Sequence, residues 1–456
     1  ADFSDEVLEF FCASYLNGDN GYAFLLGRLE GGHVENVDAA LYPRGWNQAD
    51  YDDASWEKAV LSGPVDPGRS WGVFPLRDLF PREIPQLREE GEESLKRPGH
   101  LPPAFPLLLG DDVVLSAGAL TTVYPLFRFS GGRGRRVRII YGESVVQPGS
   151  GPWESRNKNI RDDLTSGVIE GTQDVLVLDG KDFEWEPFHW RTFWFVKIVV
   201  EAGSEPVRLE SASFRRVTYP QEFSARFEGP DPDTQKMWDI SIRTLKNCAH
   251  ETYEDCPYYE QLNYIADTRL QALCSMALAG ETALPRRSLR LYRDSLRPDG
   301  LVHSRVPCKD PQILPYFSLI FVLMVEDYWD YAGERDRDFV RSCLYAVDGT
   351  LGFFRDRLRD NGFVGKVPPW NMVDDCEGWA NGEPPAIRDG GSTYLTALYT
   401  LALESGTRLH REAGRPGDAL RWEPLIALTR EAVRKLAWSG REGLFLEGPG
   451  RQTDTG

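Results

Sequence analysis

The chain has 456 residues and a formal net charge of −18, which allows two or three domains with separate cores. So acidic a chain argues against nucleic acid or an anionic membrane as partner, since both are held by basic patches. No run approaches the ~18 consecutive apolar residues of a membrane span, and no secretory signal is visible.

A neutral ligand suits this charge, and 13 Trp with 18 Tyr fit carbohydrate binding and β-sandwich cores alike. The seven cysteines are scattered without a C-x-x-C pair, which reads as free thiols rather than a disulfide framework or zinc site. The chain opens on Ala1 and not on Met, so a start has been removed or the sequence is part of a longer one. The compartment stays open between cytoplasm, periplasm and exterior, and so does the oligomeric state.

Residues 1–218 read as β. Short apolar or alternating runs lie between Gly, Pro and Asp turns, at Val113–Ser116, Thr121–Phe129, Arg136–Tyr141, Asp174–Leu178 and Phe193–Glu201. Asp52 to Trp56 reads as a turn closed by a buried Trp, and Gly149 to Ser166 as a long polar loop. The acidic run Glu89 to Glu93 is a linker candidate. The expected organisation is a partial β-sandwich module over 1–90, a β-sandwich domain over 91–218 and a helical domain over 219–456.

After Tyr219-Pro220 the period changes. Met237, Trp238, Ile242, Leu245 and Cys248 recur at helical spacing, and further helices are predicted at about 260–279, 284–296, 315–332, 336–358, 391–413 and 419–437. Gly280, Gly333 and Gly362 are expected to end helices. Asp299-Gly300-Leu301, Asn361-Gly362-Phe363 and Glu442-Gly443-Leu444 form a weak repeat, suited to tight turns between paired helices. This pattern suggests an (α/α)₆ toroid, incomplete because about seven helices are present where twelve are needed. The stripes Tyr316, Leu319, Leu323 and Leu395, Leu398, Leu401 read as core.

The segment Asp255-Cys256-Pro257-Tyr258-Tyr259-Glu260-Gln261-Leu262-Asn263-Tyr264-Ile265-Ala266-Asp267 carries the chemistry. Carboxyl groups move protons to and from glycosidic oxygens, and aromatic neighbours raise an acid's pKa by shielding it from water. Pro257 is expected near a helix start, with Glu260 in the first turn, Asp267 two turns on and Asp255 in the preceding loop. The bland alternative is that acids near a helix N-terminus merely cap it and complement its dipole.

These residues resemble the bacterial α-L-rhamnosidases of glycoside hydrolase family seventy-eight. The likeness is carried by the Asp-Cys-Pro block and, more loosely, by Tyr141-Gly142-Glu143, Gly171 to Val175, Asp299-Gly300-Leu301 and Trp370-Asn371-Met372-Val373-Asp374. It implies β-sandwich domains before an (α/α)₆ barrel, and inverting hydrolysis with no cofactor and no metal. It implies Glu260 as general acid and Asp255 and Asp267 as ligands of rhamnose hydroxyls. Tyr258, Tyr264 and Trp370 would form a wall for the sugar's methyl group, with Asp374, and Trp379 as a further wall or core, nearby. Tyr259 and Ala266 stand where the family commonly has Arg and Gly.

Inversion also needs a base, roughly 6.5–9.5 Å from the acid. In the family it comes from late in the barrel, and no residue here is assigned that part. The expectation is a fragment, inactive alone, of an enzyme acting on rhamnosylated glycosides. The rivals are an inverting hydrolase for another sugar and a non-catalytic carbohydrate-binding relative.

Overall fold

The computed structural model describes residues 35–58, 82–99, 103–110, 112–148, 160–229, 231–258, 260–308, 311–374 and 377–449. Tyr259, Cys12, Cys376 and the first part of the polar loop at 149–166 lie outside the described residues. Two compact units meet in sequence at Val217/Thr218.

The N-terminal unit is built on a ten-stranded, mainly antiparallel sheet. Its strands are β1 (Asn36–Asp38), β2 (Arg88–Glu89), β3 (Glu93–Ser94), β4 (Leu107–Leu109), β5 (Val113–Gly131), β6 (Arg136–Gly142), β9 (Thr172–Val177), β10 (Phe183–Trp185), β11 (Arg191–Val200) and β12 (Val207–Thr218), while β7 (Val145–Val146) and β8 (Val168–Ile169) form a separate pair. The order β1-β9-β6-β11-β5-β12-β2 places strands from both sides of residue 90 in one sheet.

The predicted strands at 113–116 and 121–129 are one continuous strand, β5. Its first half pairs with β11 and its end with β10, while β12 runs along the segment from Val123 to Gly131. Alternation in β6 is as expected: Val137, Ile139 and Tyr141 are buried in the core with Phe127, Phe193 and Trp185. Trp56 departs from expectation. The turn exists, with the Trp56 N–H donating to the Asp53 carbonyl (2.9 Å), but the side chain is 40% exposed. A β-rich core already filled by long alternating strands leaves no need of it.

One buried polar cluster was not foreseen. Arg191 on β11 forks onto Asp174 on β9 (2.7 and 3.1 Å) and reaches Glu35 at 3.2 Å, and the Tyr141 hydroxyl donates to Asp174 (2.7 Å). Burial, with the like charge of Asp174, pushes the Glu35 carboxyl up to about 7 against the pull of Arg191.

The second unit is helical: α1 (Pro232–Asn247), α2 (Ile265–Ala279), α3 (Ala283–Asp294), α4 (Pro315–Ala332), α5 (Arg337–Arg355), α6 (Thr393–Glu412) and α7 (Glu423–Leu436). Asp231 caps α1 by accepting the N–H groups of Asp233 and Thr234, and Pro232 and Pro315 occupy first-turn positions where no N–H is needed. In α4, 13 of 18 residues are buried, so it is apolar all round and central; α2, α3, α5 and α6 pack against it.

Gly280 and Gly333 end α2 and α4 at positive φ, as expected. Gly362 instead lies beyond the end of α5, in a turn at φ +83°. The repeat has a shared mechanism at two sites: the Asp299 and Asn361 side chains accept the N–H groups of Leu301 and Phe363 (3.2 and 3.1 Å). Tyr316, Leu319, Leu323 and Leu395 are core, but Leu398 is half-buried and Leu401 is 51% exposed. The buried line of α6 runs through Leu395, Tyr399, Ala402 and Leu403, because the 3.6-residue period turns every third position away from it. No described helix is long and apolar enough to cross a membrane.

Candidate active site

The segment from Asp255 to Leu262 closes on itself. The Asp255 N–H donates to the Leu262 carbonyl (3.0 Å), and the Leu262 N–H donates to Asp255 Oδ1 (3.0 Å). Inside this ring the Gln261 N–H donates to the Cys256 carbonyl (3.1 Å), the Glu260 N–H meets Cys256 Sγ (3.3 Å), and Gln261 Nε2 donates to the Pro257 carbonyl (2.9 Å). Gln261 sits at φ +56°, a left-handed conformation that costs a non-glycine residue ~1 kcal/mol or more.

This corrects the expected helix start. Pro257 and Glu260 lie in turns, and α2 begins only at Ile265. The ring consumes the N–H groups that a helix would direct along its axis, and the left-handed residue reverses the chain. Asp267 is therefore in the first turn of α2, not two turns beyond Glu260. Tyr264 precedes it in extended conformation, bridged to Arg305, with the Ile265 N–H on the Ser304 carbonyl (3.0 Å).

The acids nonetheless converge. The Asp255 and Glu260 carboxyl groups lie near enough for Glu260 to raise Asp255. Burial, then Glu260, pushes Asp255 up to about 9, opposed by backbone N–H groups of Leu262 and Cys256. Burial also raises Asp267; its own N–H opposes this and the Glu260 charge adds to it. Glu260 is half-buried. The proton-holding form is thus favoured at Asp255.

Arg305 was missed from sequence. It is 2% exposed, donates to the Tyr264 hydroxyl (3.1 Å) and lies 5.7 Å over that ring. Burial raises the Tyr264 phenol, Arg305 opposes the rise, and Glu260 and Asp255 reinforce it. Forty-one residues separate Tyr264 from Arg305, and backbone pairing of the two segments brings them together. Asn263 anchors the same junction by donating to the Val306 carbonyl (2.7 Å) and accepting from the Thr268 hydroxyl (2.7 Å).

Tyr316, read as core, is core and something more. It is buried against Phe317 and Tyr394 (4.8 and 6.0 Å between ring centres), and both Asp267 and Asp374 lie close enough to help burial raise its phenol. Asp374 is exposed. Trp370 is tied to its own loop, where its indole N–H donates to the Asn381 carbonyl (3.0 Å). Tyr258 is half-buried in the turn. Among the described residues no group of three His, Cys, Asp or Glu side chains is arranged to hold a metal.

The family described as the bacterial alpha-L-rhamnosidase 6 hairpin glycosidase domain matches residues 222–451, half of the chain. The chain belongs to that family. The matched span of this six-hairpin glycosidase domain includes α1 to α7 and every acid named above. A family seventy-eight rhamnosidase of Bacillus sp. GL1 is 22% identical, with a TM-score of 0.63 over 76% of this chain and 35% of its own. A Klebsiella oxytoca rhamnosidase with rhamnose bound is 19% identical, with a TM-score of 0.66 over 81% and 75%. A Streptomyces avermitilis α-L-rhamnosidase complexed with L-rhamnose is 17% identical, with a TM-score of 0.61 over 89% and 36%. At these identities the likeness is one of fold. The chain spans about a third of the length of the Bacillus and Streptomyces proteins. No curated protein matches.

Proposed function

We propose that this chain carries the acid half of a glycosidase that removes terminal α-L-rhamnose from glycosides. One observation carries the reading: the ring that Asp255 closes with Leu262 holds Asp255 and Glu260 together, with Asp267 close by in the first turn of α2. A general acid must hold a proton near neutral pH, and the raised Asp255 carboxyl keeps one within reach of Glu260. Glu260 passes the proton to the leaving glycosidic oxygen. Asp255 keeps the pair protonated and, with Asp267, binds sugar hydroxyls. Tyr264, held by Arg305, supplies an aromatic wall. The rhamnose-bound Klebsiella and Streptomyces folds support the choice of sugar.

The finer architecture belongs to the same proposal. The helices of 219–456 are part of an (α/α)₆ toroid, and the preceding sheet is the counterpart of a β-sandwich. Hydrolysis inverts the anomeric carbon, with a second carboxylate activating water on the opposite face.

The test is Glu260→Gln in the longest natural form of the protein, assayed on rhamnosides with poor and good leaving groups. General acid catalysis is worth about 10²- to 10⁴-fold, so cleavage of a poor leaving group should fall by that factor while an activated aryl rhamnoside is largely spared. Unchanged turnover of the poor leaving group would refute the assignment. NMR of the first-formed anomer tests inversion.

A further inference from the structure

A cleft of about 700 Å³ opens within the N-terminal unit, a volume typical of small-ligand sites. None of the acids of the helical unit lines it. Phe129 on β5 and Phe183 on β10 border it, and the loop from Tyr42 to Asn47 forms one wall.

That wall presents an oriented aromatic. The half-exposed Trp46 stacks on Phe188 (5.1 Å, 30°), and its indole N–H donates to the Tyr42 hydroxyl (3.1 Å). Phe188 is fixed in turn, its N–H donating to Glu35 (2.9 Å).

The facing wall is polar and equally fixed. Glu184 and Arg128 lie opposite each other across β10 and β5 and pair at 2.6 Å. Arg215 grips Glu186 with two hydrogen bonds (2.8 and 2.9 Å). Glu210 stands where β12 slips register against β5, between Leu209 and Ser211. A bulge of this kind re-aims a side chain, and Glu210 turns to the cleft and accepts the Ser130 hydroxyl.

Side chains already locked by partners lose little freedom on binding. Carboxylate and guanidinium forks suit paired hydroxyls, and an aromatic face suits the apolar side of a sugar ring. The lining holds the carboxylates Glu89, Asp182, Glu184, Glu186 and Glu210 against Arg44 and Arg128, an excess that repels anions. We propose that this cleft is a non-catalytic binding site for a neutral saccharide. It stands whether or not Glu260 is a catalytic acid.

Titration calorimetry of the whole chain with cellotriose, maltotriose and trigalacturonate tests the assignment. At least one of the two neutral sugars should bind, equally well to wild type and to Glu260→Gln. Trp46→Ala and Asp182→Arg should each weaken that binding at least tenfold, and trigalacturonate should bind at least tenfold more weakly. Both positions are at the surface, and unchanged melting curves separate lost binding from lost folding; Trp46→Phe should retain most of the affinity. The proposal is overturned if neither neutral sugar binds, if both weakening variants bind like wild type, or if the anion binds as tightly.

Discussion

Replacing Asp255 by Asn tests the proton held there through stability rather than activity. The Asp255 carboxyl is held at about 9 in the folded chain, first by burial and then by Glu260, whereas an unfolded Asp titrates at about 3.9. Between these pH values the folded chain keeps a proton that the unfolded chain releases. The stabilising contribution is thus fully present below about pH 4 and is lost as pH rises towards 9, at ~1.4 kcal/mol per pH unit for one proton. From pH 5 to pH 7 that is at most ~3 kcal/mol, and solvent access to a half-buried carboxyl reduces it to roughly 1–2 kcal/mol. Asn cannot ionise, yet its Oδ1 can still accept the Leu262 N–H, so the ring survives. Wild type should therefore lose stability against Asp255→Asn by that amount over this interval. Urea unfolding followed by tryptophan fluorescence at pH 5, 6, 7 and 8 measures it. Parallel pH profiles for the two proteins would show that Asp255 holds no such proton and would remove the basis for the acid pair.

Three further substitutions test the scaffold. Gly300 has φ +97°, and a Cβ there would lie 2.3 Å from the Gly349 carbonyl oxygen, so Gly300→Ala should cost about 3 kcal/mol or more from left-handed strain and backbone overlap; a urea midpoint within error of wild type would contradict the close approach. Asp174→Ala removes the main partner of the buried Arg191, leaving it Glu35 at 3.2 Å, and should cost ~2–3 kcal/mol, whereas Glu35→Gln should flatten the fall in stability between pH 4.5 and 7 that a raised carboxylate imposes. Equal pH slopes in the Glu35 variant and wild type would count against that raised carboxyl.

Local periodicity made the helices legible. Six predicted segments from about 260 to 437 correspond to α2 to α7, because each carries an amphipathic or wholly apolar run bounded by Gly, Pro or polar caps. Alternation made β6 visible, and the turn chemistry of Asp299-Gly300 and Asn361-Gly362 was readable from residue type. The error at Pro257 has an equally physical cause. Proline favours a helix start, but the paired hydrogen bonds of Asp255 with Leu262 and the left-handed Gln261 override that preference, and neither shows in a residue pattern. Arg305, Tyr316 and the Arg191–Asp174–Glu35 cluster were missed for another reason. Each depends on segments tens of residues apart meeting in space, with no local period to announce it.

The apolar girth of α4 has a consequence for how the site can adapt. Tyr316, at its first turn, touches the acids' surroundings, and the other end of the same helix is buried at Tyr328 and Trp329. A rod clasped on all sides cannot swing without tearing out its neighbours, so Tyr316 is a fixed point beside Asp267. The segment from Trp370 to Val373 is tied separately, by hydrogen bonds from Trp370, Asn371 and Val373 to Asn381, Glu383 and Gly382, so a substitution there can be absorbed without moving that fixed point.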